Sequence, residues 1–176
     1  MIFVTVGTQL PFDRLVAAVD RWAGLRGRRD VLAQVGQTSW RPRVIRSVPF
    51  MTPAEFEKQF QAASLVVAHA GMGTLISVLE LGKPVIVMPR RAARSEHRND
   101  HQMATVRRFG HLRGVTVALT EQQMLACLDQ AVHRFAEAEA AQGPAVPVSP
   151  ELIEAIRTFI AGPEVKAAAR RARRDR

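Results

Sequence analysis

Six short, largely apolar runs constrain this chain more than any other feature, and most are closed by glycine or proline. They are Ile2–Val6 before Gly7, Val31–Val35 before Gly36, Val44–Val48 before Pro49, Leu65–Ala68, Pro84–Met88 before Pro89, and Val115–Leu119. Runs of this length without polar alternation read as strands buried on both faces. Between them lie helical patterns. Phe12, Leu15, Val16, Val19 and Trp22 recur at helical spacing up to Gly24 and Gly27. Thr52-Pro53-Ala54-Glu55 and Thr120 with Gln123 read as capping boxes. Further helices are expected near Thr74–Leu81, His97–Phe109 and from Thr120 through roughly Phe135. Strands alternating with helices imply an α/β fold, a Rossmann-like parallel sheet with helices on both faces. Such sheets bind ligands beyond the carboxyl ends of their strands.

Domain organisation follows from the same punctuation. Residues 1–135 are expected to form one domain and 136–149, proline-rich at its end, a linker. Residues 150–176 are expected to form an amphipathic helix (Leu152, Ile153, Ile156, Phe159, Ile160) and a basic tail. The formal net charge is +9, and the last fourteen residues hold six cations against two anions. That tail suits anionic lipid, nucleic acid, an acidic partner or plain solvation. With no tyrosine and 6% aromatics there is little for base stacking, so no nucleic-acid partner is expected. Met1 leads directly into a strand with no basic leader, so no signal peptide is expected. No apolar run reaches the ~18 residues of a bilayer span, which reads as a soluble chain. The single cysteine, Cys127, lies in a helical apolar pattern and reads as core.

The chemistry-bearing residues collect at the expected ligand edge. In His69-Ala70-Gly71-Met72-Gly73-Thr74, two glycines allow close backbone approach, and the following helix offers unpaired N–H groups and its positive dipole end. Read alone, this segment fits either a diphosphate loop or a simple strand-to-helix turn. Gly7-Thr8-Gln9 is a second turn at the same edge, with the same two readings. Arg90 through Gln102 brings arginines suited to phosphate, with Asp100 and Gln102 suited to sugar hydroxyls. His97 and His101 are four apart, but a metal site needs a third ligand, and no such pattern and no D-x-D pair is present, so no metal or other cofactor is expected.

Taken in order, Phe3–Thr8, Ala68–Thr74, Leu81–Pro89 and Asn99–Gln102 resemble the C-terminal, donor-binding domain of family 28 glycosyltransferases. The likeness is to the small catalytic subunits of two-component polyprenol-linked enzymes, and the Arg90–Gln102 stretch looks like their bacterial exopolysaccharide branch. The resemblance covers about Met1–Ala131 and implies one half of a GT-B architecture. It implies an inverting transferase that moves a sugar from a UDP-sugar donor to a lipid-linked sugar acceptor without bound metal. It also implies a small membrane-anchored partner subunit. Location would be cytoplasmic, peripheral at the inner face of the plasma membrane, through that partner or the C-terminal tail. Carried over by position, Gly7, Thr8 and Gln9 would border the phosphates. Phe50 and Met51 would cradle uracil, and His69, Gly71, Met72, Gly73 and Thr74 would hold the diphosphate. Arg90 would add charge, and Asp100, His101 and Gln102 would face the donor sugar. Ser77 stands where the family places a ribose-binding glutamate, with Glu80 three residues on. The general base is not assigned; His69, His101 and the partner are its candidate sources. The alternative is a non-catalytic nucleotide-binding or stabilising subunit.

Overall fold

The computed structural model describes residues 1–141, with side chains to residue 135. The expected amphipathic helix and basic tail, and most of the expected linker, lie outside the described residues. Six strands, β1 (Ile2–Thr5), β2 (Val31–Gln34), β3 (Arg46–Val48), β4 (Leu65–His69), β5 (Val85–Met88) and β6 (Val115–Val117), form one sheet of order β3-β2-β1-β4-β5-β6. Every pairing is parallel. The helices are α1 (Asp13–Arg26), α2 (Pro53–Ala62), α3 (Met72–Glu80), α4 (His101–Phe109) and α5 (Glu121–Ala141).

Side chains alternate across the sheet as the pleat requires. Ile2, Val4, Val6, Leu65, Val67, Ile86 and Met88 join Leu15, Trp22, Met124 and Leu128 in the core beneath α1 and α5. Phe3, Val66, Ala68, Val85 and Val87 join Phe60, Leu75, Val78 and Phe109 beneath α2, α3 and α4. Cys127 is half-buried against the first of these cores, as its pattern suggests. Strand order reverses between β1 and β4, where Thr5 pairs with Ala68. The loops that leave these two strands must therefore diverge around a crevice, and that crevice is where ligands bind in open α/β sheets.

Of the boundaries that differ from the sequence reading, four have a clear physical reason. Gly24 lies inside α1, and Gly27 ends it in the left-handed region (φ 63°), with its N–H on Ala23 and Gly24 carbonyls. Strand β3 starts at Arg46 rather than Val44. The buried Asp20 carboxylate accepts the N–H groups of Arg43, Val44 and Ile45 at 2.8–3.0 Å, drawing that segment off the ladder. Helix α4 starts at His101 rather than His97. Before it, Ala92–Arg94 forms a 3-10 turn, and Ser95 takes φ 56°. The Glu96 carboxylate fixes this turn by accepting the Arg91 N–H and the Arg14 guanidinium at 2.5 and 2.8 Å. Helix α5 runs to Ala141, beyond Phe135, because Ala136–Ala141 holds only alanine and glutamate, both strong helix formers.

Candidate functional site

A cleft of about 660 Å³ opens at the β1/β4 reversal. The β1 loop contributes Gly7, Thr8, Gln9 and Leu10, and the β4 loop contributes His69, Gly71, Gly73 and Thr74. Met51, Pro53, Phe56, Glu57 and Ser77 form the wall toward α2 and α3, while Arg90, His97, His101 and Gln102 form the opposite one. Of the residues singled out from sequence, Phe50, Met72 and Asp100 do not line this cleft. Phe50 is exposed beside Met51.

Helix α3 begins two residues earlier than the sequence suggests, with Gly71 as its N-cap. Leu75 N–H is the donor to the Gly71 carbonyl. The N–H groups of Met72, Gly73 and Thr74 precede the first intrahelical bond, so they are the helix's open donors. Thus Met72 contributes backbone rather than side chain.

The glycines divide by function. A Cβ on Gly73 would meet nothing within 4 Å, so that position faces open cleft. A Cβ on Gly71 would collide with His69 Cε1 and stand 2.7 Å from Nδ1. A Cβ on Gly7 would stand 2.7 Å from His69 Nε2, and Gly7 also has φ +76°. The space left by Gly7 and Gly71 is therefore occupied by the His69 imidazole, not held open for a ligand.

Three residues expected to offer their side chains to ligand, Arg90, Asp100 and Gln102, have them committed within the protein. Arg90 is 3% exposed. Its guanidinium bonds the carbonyls of Val6, Leu10, Pro11 and Glu96 at 2.6–3.2 Å and lies 4.7 Å from the Phe12 ring centroid. Burial outweighs the nearby Glu96 and Asp13 charges and lowers its pKa to about 10, which leaves it charged at neutral pH. It is a pin for the β1 loop rather than a free phosphate ligand. Asp100 Oδ1 accepts the Ala92 N–H at 2.8 Å and so braces the 3-10 turn instead of facing the cleft. Gln102, 2% exposed at the cleft floor, has Oε1 on the Arg90 N–H (3.0 Å) and Nε2 on His69 Nδ1 (3.2 Å). Ser77 Oγ donates to the Gly73 carbonyl at 3.2 Å. Glu80 is not among the cleft-lining residues, whereas Glu57, on α2, places a carboxylate in the same wall as Ser77.

His97 and His101 do not share a helix face. They meet edge to face at 4.4 Å between centroids, across the start of α4. Among the described residues, no group of three His, Cys, Asp or Glu side chains is placed to hold a metal ion.

The sequence reading missed Pro53, Phe56, Glu57, His97 and Leu10 as cleft residues, together with the strand-end residues Thr5, Val6 and Gln34. The signal was present for the first three. The Thr52 capping box starts α2 directly after Met51, and both of its reciprocal bonds form. A helix that starts at the ligand edge turns its first residues toward the cleft.

Burial, then the Arg90 and His97 charges, push the His69 pKa from 6.5 to about 4. The folded protein therefore keeps this ring neutral where the unfolded chain would protonate it. Below pH 6.5 the unfolded state binds the extra proton, so stability falls as pH drops toward 4 and is insensitive to His69 above about 7.5. Between pH 7.5 and 5 this contribution amounts to about 2 kcal/mol. Urea unfolding of wild type and His69→Gln at the two pH values checks it: the variant should lose less stability on acidification. An equal loss in both would remove His69 as the cause.

Known proteins resemble this chain in sequence and in fold. The family model described as the glycosyltransferase family 28 C-terminal domain matches residues 1–144. Human UDP-N-acetylglucosamine transferase subunit ALG13 is 30% identical over 124 residues, which is 63% of this chain and 10% of that protein. Its mouse counterpart is 32% identical over 123 residues, 62% of this chain and 10% of that protein. The match thus spans about a tenth of the length of these curated relatives. Among solved structures, a kitacinnamycin glycotransferase has a TM-score of 0.55 at 14% identity, covering 98% of this chain and 42% of its own. An NMR structure of ALG13 has a TM-score of 0.53 at 21% identity, covering 74% and 84%. The calicheamicin glycosyltransferase CalG4 scores 0.50 at 15%, covering 97% and 43%. At these identities the structures speak to the fold, a GT-B domain of Rossmann type.

Proposed function

Since this chain belongs to the glycosyltransferase family 28 C-terminal domain family, we propose that it is the donor-binding catalytic subunit of a two-component inverting glycosyltransferase. It moves a sugar from a UDP-sugar to a polyprenol-diphosphate-linked acceptor in exopolysaccharide or capsule assembly. The observation that carries this reading is the cleft at the strand-order reversal. There Gly73 leaves the α3 N-terminus uncovered, opposite the Gly7–Gln9 turn. The relatives named as UDP-N-acetylglucosamine transferase subunits make UDP-N-acetylglucosamine the first donor to test.

The chemistry requires an acceptor hydroxyl to attack the anomeric carbon from the face opposite UDP. The bond from that carbon to the β-phosphate oxygen breaks, and UDP leaves with the electron pair. The charge that develops on the diphosphate is met by the N–H groups of Met72, Gly73 and Thr74 and by the helix dipole, already oriented before reaction. Uracil lies against Met51 and Phe56, the ribose near Ser77 and Glu57, and the donor sugar toward His101. The acceptor's proton goes to His101 or to a group on the partner. That partner is a small membrane-anchored subunit that supplies the other half of the GT-B cleft. The complex sits peripherally at the cytoplasmic face of the plasma membrane, through the partner or residues 150–176. Among the described residues, no helix is long and apolar enough to cross a membrane.

Turnover should need both subunits and the Gly71–Thr74 loop, and UDP should bind this chain alone. Calorimetry with UDP, and UDP release with a polyprenol-diphosphate sugar as acceptor, test this. A partner that transfers sugar unaided would sink the catalytic reading. The Ser77 hydroxyl, spent on Gly73, favours one alternative: a nucleotide-binding or stabilising subunit without chemistry of its own. That reading predicts UDP binding with a loop variant that leaves turnover intact.

A further inference from the structure

We propose that Gln102 is a positioning residue: it fixes the His69 imidazole as the Nε2–H tautomer and acts on ligand only through that ring. The sense of the chain of bonds leaves no freedom. The Arg90 backbone N–H can only donate, so the Gln102 atom it meets at 3.0 Å is the carbonyl oxygen Oε1. The other end of the amide, Nε2, can only donate, and it faces His69 Nδ1 at 3.2 Å. Nδ1 therefore accepts. A neutral imidazole with Nδ1 as acceptor carries its proton on Nε2. An Nδ1–H tautomer would set one N–H against another at a side chain that is 2% exposed.

The geometry around the ring gives this assignment a purpose. His69 Nε2 faces Gly7, 2.7 Å from where a Cβ there would lie, at the junction of the β1 and β4 loops. With its position enforced from behind by Gln102, the ring presents a neutral N–H donor beside the open N–H groups of α3. The same bond occupies the Nδ1 lone pair, so His69 is no general base. Both ends of the Gln102 amide are engaged within the protein and the side chain is 2% exposed, so its second N–H and second lone pair have little room to meet a donor sugar.

Nitrogen-15 NMR of the histidine-labelled full chain at pH 7.5 reads the tautomer directly, with no reliance on the nucleotide reading. Wild-type His69 should show a protonated Nε2 and an unprotonated Nδ1. In Gln102→Glu the carboxylate keeps its bond to the Arg90 N–H but turns an acceptor toward Nδ1, so the proton should appear on Nδ1. A wild-type ring protonated at Nδ1, or a folded Gln102→Glu whose ring is unchanged, overturns the proposal.

A binding arm rests on the cleft being a UDP-sugar site. Gln102→Leu should weaken UDP and UDP-N-acetylglucosamine by the same factor, about tenfold, because the loss runs through His69. In a His69→Leu background the same change should cost less than about twofold for either ligand. A loss seen with the UDP-sugar but not with UDP would make Gln102 a direct sugar contact and overturn the proposal. Absence of UDP binding by wild type would instead count against the nucleotide reading and leave the NMR result to decide the tautomer.

Discussion

Gly73→Ala should leave the protein folded and cost it UDP affinity, at least tenfold and up to about a hundredfold, whereas Gly71→Ala should damage the fold itself. The two glycines are two residues apart in one loop, yet their surroundings are opposite. A methyl on Gly73 meets nothing within 4 Å. In the first turn of α3 it brings the ordinary helix advantage of alanine, up to about 1 kcal/mol. It also projects into the space that a diphosphate must fill to reach the α3 N–H groups. A methyl on Gly71 drives into the His69 ring. That ring cannot retreat without breaking its bond to Gln102. Overpacking of this kind costs about 1–3 kcal/mol. Urea unfolding and UDP calorimetry on both variants separate the effects. If Gly73→Ala binds UDP as wild type does, the diphosphate does not lie over this helix end. If Gly71→Ala is as stable as wild type, the His69 ring does not fill the space beside Gly71.

This contrast marks where sequence legibility ended. Both glycines are visible as a loop, and both suggest close approach of something. Which of them makes room for ligand and which for protein depends on where the His69 side chain goes, and no local pattern encodes that. The sheet was legible because its strands are buried on both faces. Continuous apolar runs such as Val66-Val67-Ala68 and Val85-Ile86-Val87, short and bounded by turn residues, fit strands covered on both faces, and the glycines and prolines that follow them mark the ligand edge. The ordered motifs then gave the fold family. What stayed hidden was set by single side chains acting over long separations. Asp20 captures three N–H groups more than twenty residues away and shortens β3. Glu96 ties Arg14 to the turn before α4 and so delays that helix to His101. Asp100 and Gln102 look like sugar-binding groups in the sequence because they are polar and at the right edge. The fold uses both to satisfy buried or turning backbone instead, and a composition of hydrogen-bonding groups does not say which partner is nearest.

Arg90→Met should cost about 3–5 kcal/mol of stability, which for a domain of this size is a large fraction of the total. The guanidinium fork serves four carbonyls, three of them in the β1 segment from Val6 to Pro11 and the fourth at Glu96. A carbonyl left buried without a donor loses about 1–3 kcal/mol, and water can reach some of these four from the cleft, which holds the sum below full additivity. Methionine fills the space over Phe12 but donates nothing. Arg90→Lys should recover only part of the loss, because an ammonium has three donors from one point and cannot match the spread of the fork. Both variants should loosen the Gly7–Leu10 turn, seen as faster amide hydrogen exchange there before any change in β4 or β5. UDP affinity should fall as a consequence, with the salt dependence of the remaining binding unchanged, since no phosphate contact has been removed. The contrary reading, in which Arg90 touches phosphate directly, predicts near-wild-type stability, intact exchange protection at Thr8 to Leu10 and a shallower salt dependence. Urea unfolding, hydrogen exchange and UDP titration at two ionic strengths on one variant therefore decide between a pin and a ligand.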